Sequence, residues 1–331
     1  MIRSKESRRR AVAVLQMLGV AAAYYVSAQL GLLQEMVVHS SVVTPLWPPT
    51  GIALGALLYL GTWIWPGIAL GALLTIIDIS GSFTLYGAGI AAGNTLAPLC
   101  AFLTLRRIGF RVELDRLRDG VALVFLGALL GMLISATVGS GVLMLSDKLP
   151  PGRFWLVWSA WWVGDAMGVL VVTPFLLVLP RFRLPRPTDR WAEAGLLLVV
   201  AVTATVVATR GSLSMIYLVF PVIIWAALRF ELPGSAPCAL LVSVLAVVAG
   251  RDHLGPFEDH TVLEVMVNLA FLNGCVALTA LLLAAIVTEH QNMRRDTELA
   301  CEELAALVEQ LAPLPPIPRP GTGPGLREDD L

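Results

Sequence analysis

The chain has 331 residues, 57% of them hydrophobic and 14% charged, with a formal net charge of −1 and a mean hydropathy of +0.78. Soluble domains are about 45–50% apolar and about 25% charged, so the composition excludes an ordinary soluble fold. It indicates an all-α, polytopic transmembrane helix bundle, with the lipid bilayer as its surroundings and no nucleic-acid partner.

A helix needs about 20 predominantly apolar residues to cross a bilayer. Behind a basic segment at 1–10, runs of roughly that kind fall at 11–33, 84–105, 120–145, 154–179, 191–209, 213–230, 235–250 and 262–288. The first run has no signal-peptide cleavage pattern. Two shorter runs, 50–62 and 66–79, bring the expectation to about ten apolar helices, two of them short.

The short pair contains a repeat. Gly51-Ile-Ala-Leu-Gly-Ala-Leu-Leu58 recurs letter for letter as Gly67-Ile-Ala-Leu-Gly-Ala-Leu-Leu74, behind Trp47-Pro48-Pro49-Thr50 and Trp65-Pro66 respectively. Proline suits the first turn of a helix, where its missing N–H would be unpaired anyway. Glycines four apart share one face and admit a neighbouring backbone. The spacing predicts two short helices meeting along glycine faces, either as tilted spans or as a re-entrant hairpin. Either arrangement returns the chain to the same side.

With the N-terminus placed in the cytoplasm, 19 of the 23 Lys and Arg residues fall on inside segments and four outside: Lys148, Arg153, Arg210 and Arg251. This is a positive-inside distribution, and it predicts both termini in the cytoplasm. Glu35, Asp78, Asp147, Asp252, Glu258, Asp259, Glu264, His39, His253 and His260 then lie at or near the outer face. An acidic outer mouth could attract a cation or an amine; depletion of Lys and Arg from outer loops accounts for the same acidity without a ligand. No ligand spacing points to a metal, and the four cysteines form no CxxC motif, so no metal or cofactor is expected.

Ionisable groups at membrane depth raise a functional hypothesis by default. Asp165 is the clearest, in Trp161-Trp162-Val-Gly164-Asp165-Ala-Met-Gly168. Trp155, Trp158 and Trp162 recur on that run at helical spacing. Asn94 and Thr95 follow Gly93, and Asn268 and Asn273 lie on the last span. The expected arrangement has Asp165 accepting hydrogen bonds from Asn94, Thr95 or free backbone near Pro48–Pro49. Two readings stand: a ligand pocket formed by Asp165, Asn94, Trp47, Pro48, Pro49 and Trp162, or interhelical hydrogen bonds that only hold the bundle together.

The last span continues into a polar helix, 289–312. Met293, Thr297, Ala300, Leu304, Leu307 and Leu311 form its seam, with the alternating steps of a coiled coil. A parallel homodimer through Leu304, Leu307 and Leu311 is the expected use. Residues 313–331 are Pro- and Gly-rich and read as a disordered tail. No ATP-binding glycine box, Walker motif or cyclase signature occurs, and His290 lacks the context of a phosphoacceptor, so no enzyme is expected. The organisation is therefore 1–10 basic N-terminus, 11–288 transmembrane domain, 289–312 signalling helix and 313–331 tail.

Trp47-Pro48-Pro49-Thr50-Gly51-Ile-Ala, Trp65-Pro66-Gly67, Gly93-Asn94-Thr95 and Trp162-Val-Gly164-Asp165-Ala-Met-Gly168 ending in Thr173-Pro174 stand in an order that resembles the bacterial integral membrane-associated sensor domain of the first type, over roughly residues 11–290. The resemblance implies a multi-span sensory input module of the bacterial inner membrane. Such modules usually precede a histidine kinase, diguanylate cyclase or phosphodiesterase. The chain also resembles the membrane part of a sensor kinase that takes its signal from a transporter-like partner. It carries the connecting helix without an output domain. A stand-alone sensor, a module cut from a longer protein and a decayed copy all fit that. The expected function is binding of a ligand or membrane partner, with the signal relayed through the last helix to an unidentified signalling or transporter partner. The alternative is a small-solute transporter or channel with Asp165 in the pathway.

Overall fold

A computed structural model describes residues 2–33, 36–38, 41–181, 190–211 and 215–311. The expectations on Glu35, His39 and the 313–331 tail lie outside the described residues. In chain order the elements are α1 (Ile2–Leu32), β1 (Met36–Val38), β2 (Ser41–Val43), α2 (Pro48–Leu60), α3 (Trp65–Ser80), α4 (Leu85–Arg107), α5 (Leu117–Ala122), α6 (Leu133–Leu145), α7 (Phe154–Val178), α8 (Arg190–Arg210), α9 (Val219–Arg251) and α10 (Val262–Leu311). They form two compact units, Met1–Glu289 and His290–Leu331. Among the described residues, eight helices are long and apolar enough to cross a membrane, and Pro48–Leu60 is a shorter apolar helix. Helices dominate because a backbone in hydrocarbon must satisfy its hydrogen bonds internally.

One element departs from the all-helical expectation. β1 and β2 pair antiparallel, with Met36 opposite Val43 and Val38 opposite Ser41. Val37, Val38, Val42 and Val43 are β-branched, which favours this extended pairing.

The first unit has two chemically distinct ends. At one end Arg229 pairs with Glu193 at 2.6 Å, and the Leu117 amide donates to Glu289 at 2.9 Å. Arg106 lies beside Tyr59 and Gly61 there. This is the basic end. At the opposite, acidic end Arg251 donates to the Leu33 carbonyl, and Gly255 packs against the carbonyls of Thr209 and Gly211. Asp78 accepts from Gln29 at 2.7 Å and from Tyr25 at 3.3 Å in the same half.

These contacts show how α9 runs. Phe230 lies near the Arg229–Glu193 pair at the basic end, whereas Arg251 reaches the acidic end. The helix doubles back at Glu231, whose φ of 54° and ψ of −144° are non-helical. Residues 219–230 and 232–251 are thus two antiparallel arms, which matches the two runs read at 213–230 and 235–250. Thr288 Oγ1 donates to Glu231 at 3.3 Å across the turn.

The run read as one span at 120–145 is one candidate span, Leu117–Leu145, with a change of helical geometry inside it. α5 passes into a π-helical stretch, Leu123–Leu130, before α6 begins. The Gly131 amide reaches back to the Leu126 carbonyl at 3.1 Å, one residue further than an α-helix would. The Trp162 indole donates to the Leu129 carbonyl at 2.7 Å, so that carbonyl is satisfied by another helix.

The repeat does not form a self-contained pair. Its first copy packs on α7: a Cβ on Gly51 would stand 2.2 Å from the Gly168 carbonyl oxygen. Its second copy packs on α1, where a Cβ on Gly67 would stand 2.5 Å from the Met17 carbonyl oxygen. The two glycine faces therefore do not meet each other, as expected from sequence, but two different helices. α3 runs beside α1 over most of its length, from Gly67 at Met17 to Asp78 at Gln29. α2 begins beside Asp165, midway along α7, and ends where Tyr59 donates to the Leu177 carbonyl at 2.6 Å. Its 13 residues cover about 20 Å at about 1.5 Å per residue. The pair is neither of the two arrangements expected. α2 is a half-length helix and α3 a full span.

Candidate functional site

Asp165 lies on α7 with no exposed surface. Ser135 on α6 donates its hydroxyl to one carboxylate oxygen. Thr50, in the first turn of α2, reaches the other at 3.4 Å and the Asp165 carbonyl at 3.3 Å, while also donating to the Trp47 carbonyl at 2.7 Å. Three helices thus converge on one carboxylate. Glycines make that possible. Gly164 accepts the Trp47 amide at 3.0 Å, and a Cβ on Gly164 would stand 2.6 Å from the Thr44 carbonyl oxygen. The segment before α2 lies directly against the α7 backbone.

This junction floors a cavity of about 390 Å³. Asp165, Asn94, Trp47 and Trp161 line its deep part, and Ser80, Tyr86 and Lys148 line it toward the acidic end. Ile76, Ile90 and Val157 are among its apolar walls. The Lys148 ammonium sits 6.0 Å from the centre of the Tyr86 ring, within the range of a cation–π contact. The volume lies within the ~300–1,000 Å³ usual for small-molecule sites.

Of the six residues singled out from sequence, the cavity brings together Asp165, Asn94 and Trp47. Pro48 and Pro49 do not line it. Pro48 faces α1, where a Cβ on Gly31 would meet its ring at 3.2 Å, and Pro49 is buried in the first turn of α2. Trp162 is outside as well: it stacks with Trp158 at 5.9 Å and bonds Leu129. Trp161, its neighbour, lines the cavity instead, because adjacent helical residues point about 100° apart. Thr95 does not reach Asp165; its hydroxyl returns to the Ala91 carbonyl at 2.7 Å.

Sequence reasoning missed Ser135 and Tyr24. Ser135 sits in a long apolar run, and nothing in its spacing links it to Asp165. Tyr24 is fully buried on α1 with Trp47 and Asn94 in range, yet its hydroxyl makes no hydrogen bond of good geometry. The Asn94 Oδ1 is likewise buried without a partner.

No curated protein and no solved structure matches the chain. The MASE1 family model matches residues 16–291, which takes in every residue named above as lining the cavity. The chain belongs to the MASE1 family of membrane-associated sensor domains.

Proposed function

We propose that the chain is a sensory input module that takes a ligand or membrane partner at the acidic end and relays its presence through α10. The cavity carries this reading: it runs inward from Lys148 and ends on a fully buried carboxylate shared by α2, α6 and α7. A ligand can act only through a difference in affinity between two states of the bundle. A route exists for such a difference. Ser135 links the carboxylate to α6, the π-helical stretch joins α6 to α5, and the Leu117 amide of α5 bonds Glu289 on α10. The module acts without catalysis of its own and needs no cofactor.

The basic end faces the cytoplasm in this reading, with both termini on that side of a bacterial inner membrane. The 19-to-4 split of Lys and Arg supports it. In the second unit Met293, Leu304 and Leu307 are more than half exposed. They suit a parallel homodimer through Leu304, Leu307 and Leu311, or contact with a signalling or transporter-like partner.

The test is a reporter output fused behind the C-terminus of the full chain, compared between wild type, Asp165→Asn and the cavity-filling Ala160→Trp. Output that no longer responds to growth conditions in both variants is expected. Unchanged output in both defeats the pocket reading.

One observation favours a second reading. α2 starts halfway along the bundle beside Asp165, and transporters place discontinuous helices at their binding sites. Solute flux in proteoliposomes that requires Asp165 would establish a transporter in place of a sensor.

A further inference from the structure

The floor of the cavity holds a buried carboxylate and an amide oxygen without a partner. Asp165 receives one hydroxyl from Ser135 and a long contact from Thr50, with the Trp161 side chain also in range, and all of these donors are neutral. Asn94 is 3% exposed, and its Oδ1 has no partner. Among the described residues no Lys, Arg or His forms an ion pair with Asp165. A buried carboxylate without a counter-charge is costly, and a cation delivered to it offsets that cost.

The remaining lining narrows the class of cation. A bare calcium ion takes six to eight oxygen ligands, and magnesium keeps a near-octahedral set. Asp165 and Asn94 offer too few. An ammonium group instead brings two or three N–H donors, and its hydrogen bonds to a carboxylate are roughly twice as strong as neutral ones. Above the floor, Ile76, Ile90 and Val157 give an apolar sleeve. Such a sleeve suits a hydrocarbon or aromatic body and disfavours a heavily hydrated ion.

Lys148 does not reverse this preference. It is exposed at the acidic end of the cavity and lies over Tyr86. An anion placed against an exposed, hydrated lysine gains little. A cation placed against a fully buried carboxylate gains far more.

We propose that the cavity binds a small organic ammonium ion, a protonated primary amine with an apolar body, its N–H groups donating to Asp165 and to Asn94 Oδ1. The proposal rests on the reading of the cavity as a ligand site and adds the chemical class of the ligand.

The experiment uses the purified full chain in nanodiscs. Binding of 2-phenylethylamine, 2-phenylethanol and phenylacetate is measured at pH 7 by thermal shift and by quenching of tryptophan fluorescence. The amine is expected to bind at least tenfold more tightly than either analogue. Asp165→Asn should bring the amine down to the affinity that the alcohol shows in the same variant. Asn94→Leu, which keeps the carboxylate, should weaken the amine several-fold, and it serves as the second variant if Asp165→Asn does not fold. Equal binding of amine and alcohol, with both blocked by Ala160→Trp, overturns the ammonium proposal and leaves the ligand site standing. Binding unaffected by Ala160→Trp overturns both. Absence of binding across primary amines from ethylamine to tryptamine overturns the ammonium proposal.

Discussion

Gly168 lies so close to Trp47 that a Cβ on the glycine would stand 1.9 Å from the tryptophan's carbonyl oxygen. That obstacle is backbone held by the first turn of α2, and it has nowhere to move. Gly168→Ala is therefore expected to cost about 3 kcal/mol, the upper range for overpacking. Gly51→Ala, 2.2 Å from the Gly168 carbonyl oxygen, should behave alike. Gly141→Ala is the control: nothing lies within 4 Å of its added Cβ. In mid-helix it should gain about 0.5 kcal/mol. Thermal unfolding of the three variants in detergent checks the order.

Trp162 and Trp155 lie two turns apart on one face of α7 and should still differ sharply. The Trp162 indole satisfies the Leu129 carbonyl in the π-helical stretch. Trp162→Phe keeps the aromatic bulk and orphans that carbonyl, at a cost of about 1–3 kcal/mol. Trp155 is 72% exposed, so Trp155→Phe should stay within about 0.5 kcal/mol of wild type. Denaturant titration of both variants decides it.

Glu231 holds a backbone conformation that is essentially reserved for glycine. Glu231→Ala loses the bond from Thr288 and keeps the strain. Glu231→Gly loses the same bond and relieves it. The glycine variant should therefore be more stable than the alanine variant by about 1–2 kcal/mol, a difference that thermal unfolding of the pair reads directly.

Glu289 accepts the Leu117 amide at the N-terminus of α5. Glu289→Ala removes a capping interaction and should cost about 1 kcal/mol. Ligand affinity at Asp165 should change little, whereas a reporter fused behind the C-terminus should shift its resting output. Equal resting output in the variant and wild type argues against the α5 route.

Membrane sidedness has its own check. Single cysteines at Asp147 and Arg118, in a background lacking the four native cysteines, should separate cleanly. Asp147→Cys should react with a membrane-impermeant maleimide in intact cells, and Arg118→Cys only after permeabilisation.

The sequence made some of this legible. Long apolar runs announced the spans, because hydrocarbon tolerates little else. Asp165 stood out because charge is rare at that depth. The partners of the two glycine faces were hidden, since an identical octapeptide packs on α7 in one case and on α1 in the other. Ser135 was hidden too: many hydroxyls in apolar helices only return to their own backbone, as Thr205 does to Ala201. The spacing of Trp155, Trp158 and Trp162 correctly marked one face. That face carries the stacked Trp158–Trp162 pair, and the cavity takes the tryptophan the pattern passed over.

The half-length of α2 bears on how the protein is made. Its 13 residues are too few to partition into the bilayer as an independent span. The surface that holds it belongs to α7, and Thr50 meets Asp165 only across a separation of 115 residues. While the nascent chain is being threaded into the membrane, α2 can rest against α1, but its glycine face at Gly51 has no partner until α7 has been synthesised. The junction at Asp165 therefore closes late, and a chain halted before α7 would leave the Trp47 amide and Thr50 without their α7 partners.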